Sequence, residues 1–321
     1  MILILTHRLG FESDYVIDLL RSKGAKFFRF NAELDVNGTG IDISFSANEP
    51  SIIFYCDGRS VLLKEISVAW FQQPPRDTEL ISNYNQIQRL QHKSFLSAYY
   101  WACNQFSGTW LNKPSSVFVA SNKIRQLEVA KKIGLNIPQT IVTNNPSKVA
   151  EFFGQCNGQV IVKNLDTPWY VDKEERTWAA YTKALTSTHL QAPEKIKPAP
   201  LIYQQYIPRK VDIRAVVVGT DIFAGMSIVN GLNRYDSRRI SFDKVLYTPV
   251  SLPDGIRDQL LKLMTYFDLQ YASADFCVAS DGRYYFLDLN CTGTFIWLEK
   301  LANLPISTAI ANFLMITQKL V

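Results

Sequence analysis

An Asp-Gly pair near the C-terminal end is the feature that most constrains the fold of this chain. Asp281-Gly282 lies between two apolar, β-prone runs, a pattern that predicts a β-hairpin closed by a two-residue turn. With these two residues in the turn, Asp275 lies directly opposite Asp288. Asn290 follows Asp288 by two positions, so its side chain is expected on the same face of the sheet.

This face of the hairpin brings together three oxygen-bearing side chains, those of Asp275, Asp288 and Asn290. Opposed carboxylates repel each other unless a cation or a proton lies between them. Oxygen ligands without His or Cys suit Mg²⁺, which usually completes its shell with water and substrate phosphates. The hairpin therefore predicts a nucleotide–metal site. The alternative is a solvated polar face of an antiparallel hairpin, although Asp and Asn are poor strand formers.

The composition argues against several other classes of protein. A net charge of +5 with scattered basic residues gives no sign of nucleic-acid binding. The five cysteines are odd in number and lack CxxC spacing, which argues against a disulfide framework or a zinc site and favours a reducing compartment. The N-terminal apolar run is too short for a signal peptide, and no window reaches the length of a membrane span. We therefore expect a soluble, cytoplasmic protein without a membrane partner.

The order of strand and helix patterns predicts an α/β protein of three domains. A strand–helix–strand opening indicates a small doubly wound domain, which we place at residues 1–113. Residues 114–200 are expected to form a second α+β domain that ends in a mobile flap with a helix at residues 174–185. Residues 201–321 are expected to form a third domain with an antiparallel sheet and the metal site.

Local signals refine this outline. Ser13 and Ser121 are candidate helix N-caps, and Gly134 is a candidate helix end. The runs at 201–207 and 212–218 are expected to form neighbouring strands. A long aromatic-rich helix over residues 83–105 offers a surface for a second copy of the chain.

Several charged residues are candidates for ligand binding. Lys163 ends an apolar strand and Lys123 lies in the first turn of a helix, two positions where a cation is costly unless an anion is near. Asp212 and Arg214 share one strand face, which fits a guanidinium held ready for a phosphate or carboxylate. The alternatives are two surface lysines and a surface ion pair of little energetic value. A further charged cluster consists of Arg234, Asp236, Arg238 and Arg239.

The order of these signals resembles that of the ATP-grasp superfamily over nearly the whole chain. The resemblance implies that Lys123 and Lys163 contact the nucleotide phosphates. It also implies that the segment Gln204-Gln205-Tyr206-Ile207 is the hinge that reads adenine, with Asp212 among the nucleotide-binding residues. Asp275, Asp288 and Asn290 match the metal-binding positions, so that ATP and Mg²⁺ are the implied cofactors.

A narrower resemblance is to the ligases that mature microviridin-type peptides (graspetides) and to the grasp-with-spasm maturases. It rests on four segments of the chain. These are Val68-Ala69-Trp70-Phe71, Asp236-Ser237-Arg238, Ala274-Asp275-Phe276 and Gly293-Thr294-Phe295-Ile296-Trp297-Leu298-Glu299.

This resemblance implies an ADP-forming ligase that activates Asp or Glu side chains of a precursor peptide and closes ester or amide macrocycles. Arg214 would orient the acyl phosphate, and the cluster of Arg234, Asp236, Arg238 and Arg239 would contact the peptide. A homodimer is expected.

The chain departs from the family pattern at several positions, among them Asp288 and Gln205, which replace the usual Glu. Two alternatives therefore stay open. One is an enzyme similar to the glutamate ligases, which adds an amino acid to a protein or small-molecule carboxylate. The other is a degenerate scaffold that only binds peptide or nucleotide.

Overall fold

We describe the protein from a computed structural model, which describes residues 1–33, 38–45, 49–72, 85–166, 169–172, 176–228 and 246–319. The element bounds below refer to these ranges. Within them, none of the helices combines the length and the apolarity that a membrane crossing requires.

A parallel sheet and a small antiparallel sheet form the N-terminal part of the chain. The parallel sheet has the order β2-β1-β6-β7, so that the chain moves from the central β1 first to one side and then to the other, as in doubly wound folds. The antiparallel sheet has the strand order β3-β4-β5. The elements are β1 (Ile2–Thr6), α1 (Phe11–Ser22), β2 (Phe27–Asn31), β3 (Gly40–Ser44), β4 (Ser51–Cys56), β5 (Arg59–Leu62), β6 (Val68–Phe71), α2 (Gln86–Gln105) and β7 (Thr109–Leu111).

The central part carries a four-stranded sheet of order β12-β9-β13-β8 and a separate hairpin of β10 and β11. A short 3₁₀ turn, Pro193–Lys195, precedes β13, and a similar turn in the N-terminal part, Leu63–Glu65, lies between β5 and β6. The elements are α3 (Pro114–Ala120), α4 (Lys123–Ile133), β8 (Thr140–Thr143), α5 (Pro146–Gln155), β9 (Val160–Lys163), β10 (Trp169–Val171), β11 (Thr177–Ala179), β12 (Lys183–Ala184), α6 (Ser187–Leu190) and β13 (Leu201–Gln205).

The C-terminal part is built on a five-stranded sheet of order β16-β15-β14-β17-β18, in which every neighbouring pair is antiparallel. The elements are β14 (Arg209–Val218), β15 (Asp221–Ile228), β16 (Thr248–Val250), α7 (Asp254–Tyr266), β17 (Tyr271–Ala279), β18 (Tyr284–Asn290), α8 (Ile296–Ala302) and α9 (Ile306–Lys319). The expected α/β class is confirmed, and so is the antiparallel C-terminal sheet.

Four expectations about neighbouring strands and helices were wrong, and each has a physical reason. The runs at 201–207 and 212–218 lie in different sheets. The first sheet loses the chain where β13 ends at Gln205, and β14 begins only after Pro208, which has no N–H to donate to a neighbouring strand. The expected helix at 174–185 is replaced by strands at its described positions. There Asp172 accepts bonds from the Arg176 side chain (2.8 Å) and the Trp178 indole (2.7 Å), which fastens the β10–β11 hairpin.

The two remaining errors concern helix starts. The helix α1 begins at Phe11 behind Gly10, and the hydroxyl of Ser13 donates instead to the buried Thr6 hydroxyl at 2.7 Å. Asn122 caps α4 by accepting from the Arg125 N–H, since Ser121 ends the preceding helix α3. The expected end of α4 is confirmed, because Gly134 lies in the left-handed region with φ 101°.

The metal-site hairpin has a three-residue loop rather than the predicted two-residue turn. Ala279 pairs with Arg283 across Ser280, Asp281 and Gly282, and Gly282 takes the left-handed conformation with φ 84° that such loops require. The extra loop residue shifts the register by one up to the pair Phe276–Phe286. A β-bulge at Leu287 then inserts one more residue in β18 and restores the predicted pairing of Asp275 with Asp288.

The hydrophobic cores extend across the expected domain boundaries. One buried cluster joins β1, α1 and β6 to the C-terminal elements through residues such as Trp70, Phe295, Leu298 and Ile310, all at most 1% exposed. The bounds at residues 113 and 200 stay a prediction. The shared cluster implies that the C-terminal helices α8 and α9 hold the N-terminal sheet against the five-stranded sheet.

At the end of the edge strand β18 that carries Asp288 and Asn290, a helix side chain takes the place of a further strand. The carboxamide of Gln126 in α4 donates to the carbonyl of Leu289 at 2.8 Å and accepts its N–H at 3.0 Å. It also donates to the Ala120 carbonyl at 2.7 Å, and only 2% of Gln126 is exposed. This one side chain therefore satisfies both backbone groups of the residue between Asp288 and Asn290.

We predict that Gln126→Ala destabilises the protein by about 1–3 kcal/mol, because it leaves the buried carbonyl of Leu289 without its partner, while the N–H of Leu289 keeps its bond to Asp288. Urea unfolding monitored by circular dichroism measures the change. Gln259→Ala is the matched control, since Gln259 also donates to a backbone carbonyl, that of Gly134 at 3.0 Å, but from an exposed position. Equal midpoints for the two variants would contradict this account of the strand edge.

Candidate functional site

The candidate site lies on one face of the five-stranded sheet, where three strands carry charged side chains in a row. Arg214 of β14 pairs across the sheet with Asp275 of β17, and Asp275 pairs with Asp288 of β18. Asn290 lies opposite Ser273, two residues further along the same face. The structure therefore brings together the metal-site residues predicted from the hairpin, and it adds a guanidinium to the row.

Arg214 and Asp275 form a partly buried ion pair. One guanidinium nitrogen, Nη1, donates to both carboxylate oxygens, at 2.9 and 2.8 Å, and only 12% of the Arg214 side chain is exposed. Burial raises the pKa of Asp275, against the opposing effect of Arg214. Burial opposes the charged form of Arg214, but the Asp275 carboxylate outweighs it and the pKa of Arg214 is raised. Each group thus depends on the other to remain ionised inside the sheet.

The opposite edge of the Arg214 guanidinium is open for a ligand. Nε is buried and has no protein partner among the described residues, and no hydrogen bond from Nη2 is present there either. These two nitrogens form the side of a guanidinium that binds a carboxylate or a phosphate with two parallel hydrogen bonds. Gly293 lies at this edge: a Cβ on it would come within 3.0 Å of Nη2 and of the Asn290 Cβ. The glycine therefore leaves room beside Nη2.

Asp212 does not pair with Arg214, although the two side chains share one strand face. Arg209 at the start of β14 holds Asp212 instead, with its Nη2 donating to Oδ2 at 3.1 Å. The side chains of Arg209 and Asp212 are 9% and 18% exposed, so this is not a loose surface pair. The sheet face therefore carries two separate Arg–Asp pairs, which neutralise both carboxylates.

The two candidate lysines approach this face from the central part of the chain. Lys163 ends β9 and donates to the Gln204 carboxamide at 2.9 Å, and Gln204 in turn donates to the Thr140 hydroxyl at 3.0 Å. Burial lowers the pKa of Lys163, and the charge of Lys123 adds to that effect while Asp288 opposes it. Lys123 starts α4 and donates to the Asn164 carbonyl at 3.4 Å. Because the charge of Lys123 acts on Lys163, an anion bound near both ammonium groups would be favourable.

A cavity of about 150 Å³ connects the lysine side of the site to the hairpin. Its lining includes Lys123, Asp288, Asn290 and Gly293. A larger cavity of about 460 Å³ lies elsewhere, between α1, β2 and β5, and contains none of the predicted site residues. The smaller cavity is the one that unites the predicted phosphate and metal positions.

The donors on this face fit Mg²⁺. Asp275 and Asp288 lie opposite each other, and Asn290 lies on the same face of the sheet. In the described ranges, no group of three or more His, Cys, Asp and Glu side chains converges, so a metal here relies on carboxylate and amide oxygens plus water or phosphate. The metal role of these residues stays a prediction.

The segment Gln204-Gln205-Tyr206-Ile207 runs from β13 into the link towards β14. The N–H groups of Gln205 and Tyr206 are already used, by the carbonyls of Gln139 and Gln159, both at 2.8 Å. In the part of the chain that the structure describes, the Ile207 N–H has no such partner. Only the Ile207 N–H of these three is thus free to meet a ligand.

Sequence reasoning missed several residues that build this site. Arg209 neutralises Asp212, and Gln126 fixes the backbone of the metal hairpin. Trp297 covers the guanidinium of Arg214, with its ring centroid 5.9 Å from the guanidinium carbon, and Tyr247 packs edge-on against Trp297 at 5.0 Å. A buried Gln in an amphipathic helix was a usable signal, whereas the two aromatic residues carry no local signal of their role. Arg234, Asp236, Arg238 and Arg239 lie outside the described residues.

Comparison with known proteins assigns the chain to a family. The model of the RimK-like ATP-grasp domain matches residues 120–314, which is more than half of the chain. The chain belongs to the RimK-like ATP-grasp family. This assignment agrees with the ATP-grasp fold expected from the sequence and makes ATP the nucleotide for which the site is built. No curated protein matches the chain at the level of sequence.

Solved structures extend the similarity beyond the family domain. The macrocyclase MdnC of Microcystis aeruginosa, bound with its precursor peptide MdnA, is 29% identical with a TM-score of 0.87, over 98% of this chain and 99% of that one. The macrocyclase MdnB of the same organism is 27% identical with a TM-score of 0.79, over 98% of both chains. A RiPP-associated ATP-grasp ligase of Chryseobacterium gregarium is 24% identical with a TM-score of 0.87, over 98% and 96%, and shows the fold alone.

We predict that Gly293→Ala lowers ATP turnover about 10- to 100-fold, because the new Cβ displaces the Arg214 fork and small misplacements cost this much. ADP release measures turnover, and thermal melting checks that the fold is kept. Gly255→Ala is the matched control, since a Cβ on Gly255 meets nothing within 4 Å. Full turnover of Gly293→Ala would show that the open edge of Arg214 is not used.

Proposed function

We propose that this ATP-grasp enzyme is an ADP-forming ligase that closes ester or amide crosslinks within a ribosomally made precursor peptide. The observation that carries the proposal is the arrangement around Arg214. Asp275 holds its Nη1, the Nε–Nη2 edge has no protein partner among the described residues, and Asp288 lies opposite Asp275 on the same face. Similarity to MdnC, a macrocyclase bound with a precursor peptide, over 98% of the chain supports the same substrate class.

The first step activates a carboxylate. An Asp or Glu side-chain oxygen of the peptide attacks the γ-phosphorus of ATP, the bond from that phosphorus to the bridging oxygen breaks, and ADP leaves. Carboxylates are poor acyl donors, and the phosphate supplies the missing leaving group. Lys123 and Lys163 bind the phosphate oxygens, and the lowered pKa of Lys163 reflects the burial that an incoming anion would compensate.

The second step joins the activated group to a nucleophile of the same peptide. A Ser or Thr hydroxyl or a Lys amine attacks the acyl carbon, the carbon–oxygen bond to phosphate breaks, and the proton of the nucleophile passes to the departing phosphate. The Nε and Nη2 of Arg214 bind the acyl phosphate and stabilise the negative charge that develops on its oxygen. Because donor and acceptor belong to one bound peptide, the step benefits from a high effective concentration.

Nucleotide and metal binding follow from the same geometry. The free N–H of Ile207 is our candidate for reading adenine, and the Gln205 side chain replaces the Glu of the family hinge. Asp275, Asp288 and Asn290 would hold Mg²⁺, which supplies neutralisation of the charge on the phosphate oxygens. Asp212, held by Arg209, belongs to the nucleotide side of the site in this proposal.

The proposal includes the partners expected from the sequence. Arg234, Asp236, Arg238 and Arg239 contact the acidic segment of the peptide. A second copy of the chain binds through α2, where Ile87 and Leu90 are 69% and 66% exposed. The five cysteines are all free and buried, in keeping with a reducing compartment such as the cytoplasm.

The decisive test is mass spectrometry of peptides co-expressed with the enzyme, taken from the short reading frames that flank its gene. We predict the loss of one water per crosslink, because each ester or amide bond forms by condensation. Asp275→Asn should lower the yield at least about 100-fold, since it removes a charge that orients Arg214 and the metal. Asp281→Asn is the control, as Asp281 is exposed in the hairpin loop and its hydrogen bonds within the described ranges go to Arg283.

Other outcomes separate the alternatives. A gain in mass, with an amino acid added, would point to the ligase class similar to the glutamate ligases. ATP consumption with no peptide dependence and no change in mass would favour a degenerate scaffold. Equal water loss with Asp275→Asn and wild type would contradict the role given to Asp275.

A charge reversal tests the peptide contact separately. We predict that Arg238→Glu weakens peptide binding about tenfold or more, because a like charge then faces the acidic segment, while the affinity for ATP stays unchanged. Calorimetric titrations with peptide and with a non-hydrolysable ATP analogue measure the two affinities. Arg257→Glu on α7 carries the same charge change outside the site and serves as the control. A parallel loss of both affinities would contradict this assignment.

A further inference from the structure

The guanidinium of Arg214 is confined on three sides by residues that leave only its Nε–Nη2 edge open. Asp275 binds Nη1, and Gly293 borders the open edge without filling it. The third contact is the indole of Trp297, which lies over the guanidinium with 5.9 Å between ring centroid and guanidinium carbon. A cation over the face of an indole is attracted by the ring, most strongly where water is excluded.

Trp297 is itself held in place from both sides along the chain. Phe295, two residues before it, and Leu298, directly after it, are fully buried, so the backbone at Trp297 has little freedom. Leu298 packs onto Gly225, which lies directly across the sheet from Arg214: a Cβ on Gly225 would come within 2.8 Å of the Leu298 side chain. The missing side chain of Gly225 therefore lets α8 approach closely enough for Trp297 to reach Arg214.

Tyr247 fixes the orientation of the indole ring. Its ring meets that of Trp297 edge to face at 5.0 Å with an interplanar angle of 65°. It also packs beside Gly225, with 3.5 Å between its ring and a Cβ built there. Burial raises the pKa of the Tyr247 phenol, which remains neutral. The ring pair thus forms an apolar wall beside the charged row of Arg214, Asp275 and Asp288.

We propose that Trp297, oriented by Tyr247, is a positioning residue that keeps Arg214 aligned on the acyl phosphate, so that the activated carbonyl reacts with the peptide and not with water. This inference rests on the proposed ligase function and deepens it. Asp275 contacts one nitrogen only, and a contact through one nitrogen leaves the guanidinium free to swing. The indole face removes that freedom without using a hydrogen-bond donor.

The chemical consequence is a change of the attacking group. In the coupled reaction the peptide hydroxyl or amine attacks the acyl carbon, and inorganic phosphate leaves. If Arg214 swings away, water attacks the same carbon, phosphate leaves, and the original carboxylate is returned with one oxygen from the solvent. Each such event consumes one ATP and forms no crosslink, so that the ratio of ADP to crosslink rises.

The test compares Trp297→Leu with Trp297→Phe, using the peptide that wild type crosslinks. We expect ADP per crosslink to rise about 2- to 30-fold in Trp297→Leu, the range that the loss of one cation–π contact corresponds to. The Phe variant, which keeps an aromatic face, should recover most of the coupling. Tyr266→Leu is the control, because Tyr266 stacks under Arg125 at 5.4 Å outside the site.

Solvent labelled with ¹⁸O identifies where water enters. We expect the uncrosslinked peptide recovered from Trp297→Leu to carry the label in its carboxylate. Label found only in phosphate, or an unchanged ADP-to-crosslink ratio in Trp297→Leu, overturns the inference while leaving the ligase function intact. Absence of water loss with wild type would instead overturn the ligase function, and this inference with it. If Trp297→Leu does not fold, Tyr247→Leu replaces it, with the same outcomes expected to a smaller extent.

Discussion

The ion pair between Arg214 and Asp275 is the interaction on which the site depends. Both groups leave water when the sheet forms, and the cost of burying either charge alone would be several kcal/mol. Their geometry explains why the pair persists, since a single nitrogen of Arg214 serves both oxygens of Asp275. The Nε of Arg214 has no protein partner among the described residues, and in the proposed function this edge of the guanidinium binds an anion.

The hairpin illustrates how far local sequence patterns determine the site. Alternation along β17 and β18 predicted correctly that Asp275 faces Asp288, although the turn type was wrong. Relative to a regular ladder with a two-residue turn, the three-residue loop takes Ser280 from the β17 side of the hairpin, and the bulge adds Leu287 on the β18 side. The two changes shift the register in opposite directions and cancel, so that Asp275 pairs with Asp288 as predicted. Neither feature has a signal that propensity or period detects.

Contacts between distant parts of the chain could not be predicted from the sequence, for a different reason. The side chain of Asn112 bonds to backbone groups of Gln270, Tyr271 and Cys291, and Gln126 does the same for Leu289. Such bonds depend on where two elements meet in space, which a single sequence does not encode as a local pattern. The family resemblance supplied the lysines and Arg214 because their order along the chain is preserved, but it gave no role to the side chains that hold them.

The bulge offers a physical reason for an Asp at position 288, where the family resemblance leads one to expect a Glu. Leu287 is the extra residue in β18, and bulges re-aim the side chain that follows. One oxygen of Asp288 accepts the N–H of Leu289 at 3.1 Å, so that only its second oxygen is fully free for a cation. A contact through one oxygen therefore suits this position better than a bridge through two. In the proposed metal site, Asp275, whose oxygens both accept from Arg214, would share its negative charge between the guanidinium and the cation, which would tie metal binding to the alignment of Arg214.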